Sequence, residues 1–285
     1  MKLDLDTYVR DIYDAILRRY FPLSVDESII YHYTRFAALK SIITGNIFHA
    51  TNVHYMNDPT ELHYAQELLQ DAIASVRYQY SANRRNFPGR YLEEHVIPKI
   101  EERDTQQFVL SFTFESDSRY LWHSYGASDG YALVFSIPDL VGALQRKELR
   151  LGTLQGFAYQ SFSLFHGRVL YDKSRQRRLL NLLLKRILPL VEMQMQSMQE
   201  GRDDTTIAEA TVQATYLLYA CIYNMKSAAF SVENEYRIVV MPDCGFGNIK
   251  YKNRNGQQVP YVELGGCPLP FHQVVIGPAI RDASA

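Results

Sequence analysis

The stretch Ala228-Ala229-Phe230-Ser231-Val232-Glu233-Asn234-Glu235-Tyr236-Arg237-Ile238-Val239-Val240 decides how the rest of the chain is read. From Tyr236 onward aromatic and β-branched residues dominate, and Pro242 stops the run, which predicts a strand. Glu233 and Glu235 stand two residues apart at its mouth. In an extended chain that spacing sets both carboxylates on one face, roughly 7 Å apart. Like charges so placed repel, so two readings compete. Either this is a solvated edge whose acids pair with Arg237 and Lys226, or the acids sit in a cleft and handle hydroxyls or a developing cation.

Working outward, residues 29–34, 108–114 and 131–137 read as strands, rich in β-branched and aromatic residues. A last strand spans 273–276, and 168–171 reads as a short one. Asn255-Gly256 predicts a two-residue hairpin turn ahead of a returning strand at 259–264. Apolar residues recur at helical spacing over 6–20, 35–44 and about 60–80. The third of these helices opens on Asp58 as cap, Pro59 at the first position and Glu61 three residues after the cap. Residues 174–200, bent at Pro189, and 204–227 predict an αα-hairpin turning at Glu200-Gly201. Strands and helices mix without regular βαβ alternation, so the expected class is α+β. The expected organisation is one domain over 1–285 with a helical insertion at about 174–227.

The chain has 285 residues, 47% hydrophobic and 21% charged, with formal net charge −1. That balance fits a globular protein and argues against a broad nucleic-acid or membrane footprint, leaving room only for local basic patches. Cys221, Cys244 and Cys267 form neither a disulfide framework nor a zinc spacing. The acidic opening MKLDLDTYVRD lacks the character of a secretion signal, and no apolar run approaches a membrane span. The expected location is cytoplasmic, with no membrane partner. Gly245-Phe246-Gly247 lacks the third glycine and following helix of a dinucleotide loop, and no metal-ligand motif stands out.

Four stretches then fall into a pattern. His32-Tyr33-Thr34 follows a strand, and Asn57-Asp58-Pro59-Thr60-Glu61 opens a helix. Ser111-Phe112-Thr113 precedes Trp122 and Tyr125, and Glu233-Asn234-Glu235-Tyr236-Arg237 begins the late strand. With Ile276-Gly277-Pro278, these resemble, over roughly 29–280, a bacterial family labelled a domain of unknown function and grouped with the ADP-ribosyltransferase-like folds. The resemblance implies a split, mostly antiparallel sheet with surrounding helices that binds extended NAD in a cleft, bordered by strands 29–34, 108–114 and 235–241. It implies that His32 meets the adenosine ribose, that Tyr33 and Thr34 hold the nicotinamide amide, and that Ser111 lines the pocket. Tyr125, or else Tyr131, stacks on the nicotinamide. Glu235 holds the ribose 2′-hydroxyl, and Glu233 meets the acceptor.

The chemistry asks for these residue types independently. Loss of nicotinamide passes through an oxocarbenium-like cation, which a fixed carboxylate stabilises while an aromatic wall orients the leaving ring. The expected activity is transfer of ADP-ribose from NAD to a macromolecule, protein or nucleic acid, as in some toxins and phage-defence effectors. The hairpin would then be a packed insertion, a cover for the cleft or the seat of a cognate antitoxin. An NAD glycohydrolase and a non-catalytic binding module are the alternatives. Replacing Glu235 by Gln is expected to abolish activity and leave the fold intact.

Overall fold

The computed structural model describes residues 4–22, 28–58, 60–79, 88–102, 107–151, 162–202, 204–242, 249–265 and 268–283. Pro59, Cys244, Gly245-Phe246-Gly247 and Cys267 lie outside them. In chain order the elements are α1 (Leu5–Tyr20), β1 (Ile29–Arg35), α2 (Phe36–Gly45), β2 (Ile47–Asn52), α3 (Glu61–Gln79), α4 (Gly89–His95) and α5 (Ile97–Glu101). There follow β3 (Phe108–Thr113), α6 (Arg119–Leu121), β4 (Gly130–Ser136), α7 (Ile137–Leu151), β5 (Phe162–Arg168), α8 (Lys173–Gln199) and α9 (Thr205–Ile222). The chain ends with β6 (Glu235–Pro242), β7 (Lys250–Arg254), β8 (Gln257–Gly265), β9 (Phe271–Ile276) and α10 (Pro278–Ala283). The protein is α+β, and its sheet pairs are antiparallel.

The chain divides into two compact units. The first comprises Met1–Pro22, Asn57–Thr105 and Leu170–Ala228, so the hairpin read as an insertion shares its unit with α1, α3, α4 and α5. Four helix starts in this unit are capped by an aspartate that accepts from an otherwise unpaired amide. Asp4 accepts from Thr7 N–H, Asp172 from Arg175 N–H at 2.6 Å, and Asp204 from Thr206 N–H. α8 runs through Pro189 as one helix, burying Leu179, Leu183, Ile187 and Leu190 on one stripe. Gly201, at φ +66°, makes the hairpin turn. Asp58 caps α3 through Thr60 N–H at 2.9 Å, as expected, but Glu61 does not close the capping box. It is buried instead, with Lys226 Nζ 3.6 Å from its carboxylate. Gln176 is fully buried and donates to the Leu170 and Lys226 carbonyls while accepting from the Tyr64 hydroxyl at 2.7 Å.

The second unit, Leu23–Met56, Gln106–Val169 and Ala229–Ala285, holds the nine-stranded sheet. β6 pairs along β3 from Phe108↔Val240 to Thr113↔Glu235 and so fills one edge of it. The other edge is shared: β2 takes its start (Thr51↔Val109) and β1 its end (Tyr31↔Thr113). The sheet therefore forks at β3, one arm continuing β2-β8-β7 and the other β1-β4-β9. One face buries Phe48, Phe108, Phe112, Phe135, Tyr236 and Ile238 with apolar residues of α2 and α7. On the opposite face a smaller cluster gathers Tyr33, Leu121, Trp122 and Ala132, with Tyr31 and Tyr125 against it. The Asn255-Gly256 turn forms as read, both residues at positive φ. The strand read at 168–171 lies earlier, as β5, and α7 was not legible as a helix.

Three glycines crowd the Trp122 ring. A Cβ on Gly130 would lie 2.6 Å from the Gly126 Cα, and one on Gly277 would lie 2.7 Å from the Gly130 carbonyl. That carbonyl accepts from Gly277 N–H at 2.8 Å. Gly130→Ala should therefore cost about 1–3 kcal/mol as backbone is forced apart. Thermal unfolding followed by the fluorescence of Trp122, the one tryptophan of the chain, will show a lowered midpoint.

Candidate functional site

Strand alternation sorts the expected site residues onto two faces. Tyr31, Thr113 and Glu235 stand opposite one another across β1, β3 and β6, and Ser111 stands opposite Arg237. Cross-strand partners project to the same side, so Glu235, Arg237, Ser111, Thr113, Tyr31 and Tyr33 share one face. His32 and Thr34, at the alternate positions of β1, project to the other. The His32 ring lies 5.2 Å from Phe48 and 5.4 Å from Phe112, within the apolar cluster. The expectation that His32 and Glu235 face one cleft is thus corrected: the even-numbered residues of β1 face the core. Tyr131 projects to the core side too, 5.9 Å from Phe36, whereas Tyr125 lies against Tyr33 and Trp122 on the Glu235 side.

His32 has a structural task at the fork. Its Nδ1 lies 3.0 Å from the Ser111 carbonyl. A carbonyl only accepts, so Nδ1 carries the proton and donates, filling a backbone acceptor where β1 and β2 diverge along β3. Burial pushes the imidazole below its ordinary value, against the opposing pull of that carbonyl.

At the centre of the opposite face Arg237 is wholly buried and grips Glu235 with two hydrogen bonds, Nε to Oε2 at 2.7 Å and Nη2 to Oε1 at 3.1 Å. Gly167 stands opposite Arg237 on β5 and carries no side chain to compete for the space. The sequence reading that paired an acid with Arg237 holds in its partner but not in its setting, because Glu235 is only 6% exposed. Lys226 belongs to the other unit and meets Glu61 there.

Glu233 is also buried but is not on the strand. It closes a 3-10 turn, Ala228–Glu233, and Asn234 follows at φ +42° before β6 begins. The simple strand spacing of the two acids is therefore broken by a left-handed residue, a conformation asparagine tolerates. Its neighbours hold it there. The Asn234 amide donates to Glu115 Oε1 at 2.8 Å and its oxygen accepts from Arg168 Nη2 at 2.7 Å. Thr113 Oγ1 donates to the Glu233 carbonyl at 2.7 Å and accepts from Glu115 N–H. The Tyr120 hydroxyl donates to Glu233 Oε1 at 3.2 Å.

The aromatic rim is fixed in the same way. Tyr33 packs edge-on to Trp122 at 4.5 Å, donates to the Glu115 carbonyl at 2.9 Å and accepts from Ser118 N–H. Burial raises its phenol above the ordinary value. Trp122 Nε1 donates to Asp117 at 2.6 Å. Tyr120, Tyr31 and Thr113 were not singled out from the sequence. The alternation of β1 offered a signal for Tyr31; for Tyr120 there was none. Among the described residues no group of three or more His, Cys, Asp or Glu is placed to hold a metal ion.

Residues 121–238 match the model of a family described as a protein of unknown function, DUF2971. The match covers under half of the chain, taking in Trp122, Tyr125, Glu233, Glu235 and Arg237 and leaving out β1, β2 and β3. No curated protein and no solved structure matches the chain. Among the described residues no helix is long and apolar enough to cross a membrane.

Two outcomes follow from this geometry. Contrary to the expectation of an intact fold, Glu235→Gln removes one charged partner of a buried guanidinium and should lower stability by up to about 3–5 kcal/mol. Urea unfolding will show it, with Glu235→Gln/Arg237→Met recovering part of the loss. The second concerns pH. His32, His49 and His166 are all held below the ordinary value of 6.5, chiefly by burial. Above that value both folded and unfolded chains leave them neutral; below it the unfolded chain takes up protons first, so stability falls as pH drops through this range. Unfolding free energies at neutral and mildly acidic pH will show this slope, reduced in His32→Gln.

Proposed function

We propose that the Glu235 face is the site of an ADP-ribosyltransferase that takes NAD as donor and a macromolecule as acceptor. One observation carries the reading: two buried carboxylates, one gripped by a buried guanidinium, stand beside a tyrosine-lined wall at the fork of an antiparallel sheet. The motif resemblance over 29–280 supports the donor. His32 takes no direct part, and Tyr31 and Tyr33 occupy the β1 side of the site.

The bond from ribose C1′ to the nicotinamide nitrogen breaks, and its electron pair leaves with the nicotinamide. The remaining cation is met by Glu235, whose orientation Arg237 fixes before the reaction begins. Tyr125 and Tyr33 wall the leaving ring. An acceptor oxygen or nitrogen then attacks C1′, and Glu233, steadied by the Tyr120 hydroxyl, takes the proton it releases. The protein works in the cytoplasm. A role as a toxin or phage-defence effector, with a cognate antitoxin, rests on the resemblance alone.

The test is incubation of lysate with NAD labelled in its ADP-ribose part, followed by separate nuclease and protease digestion. The expected result is label on a macromolecule, reduced on the order of 10²–10³-fold by Glu235→Gln at a temperature where that variant remains folded. Glu233→Gln should impair transfer more than release of free ADP-ribose, since water needs less orientation than a bulky acceptor. Free ADP-ribose as the sole product would make the protein a glycohydrolase. No turnover of NAD would overturn the reading.

A further inference from the structure

We propose that the arm β7-β8-β2 binds single-stranded nucleic acid on the face it shares with Glu235. That this strand is also the acceptor rests on the reading above. Register fixes the face: Lys250↔Tyr261, Lys252↔Val259 and Arg254↔Gln257 across β7 and β8, then Thr51↔Tyr261 and His49↔Glu263 across β8 and β2. Thr51↔Val109 carries it onto β3, where Ser111 and Thr113 follow on the same side beside Arg237 and Glu235. From β7 to β6 is four strand spacings, about 19 Å. Along that path Lys252, Tyr261, His49 and Thr51 are partly exposed while Val259, Val109, Arg237 and Glu235 are buried, so the accessible stretch lies on β7, β8 and β2.

The arm carries what a single strand needs: cations without a carboxylate to neutralise them, and planar rings. Lys252 Nζ lies 5.4 Å above the Tyr261 ring, with the Thr51 hydroxyl 3.5 Å away. Arg254 donates to the Tyr55 carbonyl. Both cations therefore contact neutral groups, whereas Lys250 is paired with Glu263 at 2.8 Å. Burial, and after it the nearby Arg254, hold Lys252 below the ordinary lysine value. The His49 ring packs against Tyr261 at 4.1 Å, tilted by 30°. Both rings are partly exposed, so an unpaired base can stack on them. An acidic peptide would satisfy the cations but has no use for the rings. β7 also ends the sheet, so no further described strand covers the arm on that side.

The experiment is fluorescence anisotropy, without NAD, of the whole protein with short labelled single-stranded RNA and DNA and with a Glu/Asp-rich peptide. The proposal expects an oligonucleotide to bind more tightly than the peptide. For two phosphate contacts, log K against log salt should have a slope of about −1.4. Tyr261→Ala should weaken binding about 5–150-fold through lost stacking. Arg254→Gln, at an exposed position, should halve the salt slope. Absence of oligonucleotide binding, equal or tighter binding of the peptide, or binding unchanged in both variants would each overturn the proposal. The two readings fail separately. Oligonucleotide binding without NAD turnover would leave the surface standing and remove the transferase. Labelling of protein alone, with no oligonucleotide binding, would do the reverse.

Discussion

A buried arginine is the constraint on which the sheet unit depends. Removing a guanidinium from water costs several kcal/mol, recovered only where geometry and hydrogen bonds are good. Arg237 meets that condition through Glu235, two residues away on the same strand and on the same face. The pair in turn fixes its surroundings. β6 keeps its register with β3, and β5 presents Gly167, which has no side chain, directly opposite Arg237. Such a carboxylate is held in one orientation before any ligand arrives, which is what a group facing a short-lived cation requires.

The fork at β3 gives that carboxylate its setting. A strand with one edge filled by β6 divides the other between β2 and β1, which leaves backbone groups to satisfy where the two part. His32 supplies a donor to the Ser111 carbonyl there and buries its ring between Phe48 and Phe112. The histidine that the motif offered as a ligand contact thus acts on the framework. On the other face Tyr31, Tyr33, Trp122 and Tyr125 gather near the acids, and the turn from Glu115 to Ser118 is held by the Tyr33 hydroxyl. The network of Thr113, Glu115, Asn234 and Arg168 then sets the angle at which Glu233 enters.

Much of this was legible from local chemistry. The β-branched run after Tyr236, the Asn255-Gly256 turn, the Asp58 cap and the leucine-rich hairpin all declare themselves within a few residues. What local chemistry does not carry is register. His32 and Tyr33 are equally plausible ligand contacts until β1 is aligned with β3, because a shift of one residue exchanges the faces. The spacing of Glu233 and Glu235 reads as a strand pair, and only the left-handed Asn234, stabilised by Glu115 from 119 positions away, breaks it. Tyr120 reaches Glu233 across 113 positions, a contact without a local signature. The burial of Arg237 was equally hidden, since a charged residue at a strand start ordinarily faces water.

The central claim is that the tyrosine-lined Glu235 face receives NAD. Trp122 is the single tryptophan of the chain and packs on Tyr33 within that face, so in the folded protein its emission reports on the surroundings of that face. Titrating NAD while recording this emission tests the claim most directly. The account predicts a saturable change, reversed by excess nicotinamide or ADP-ribose. Emission that stays flat up to millimolar NAD, from a protein whose unfolding transition is intact, would contradict it.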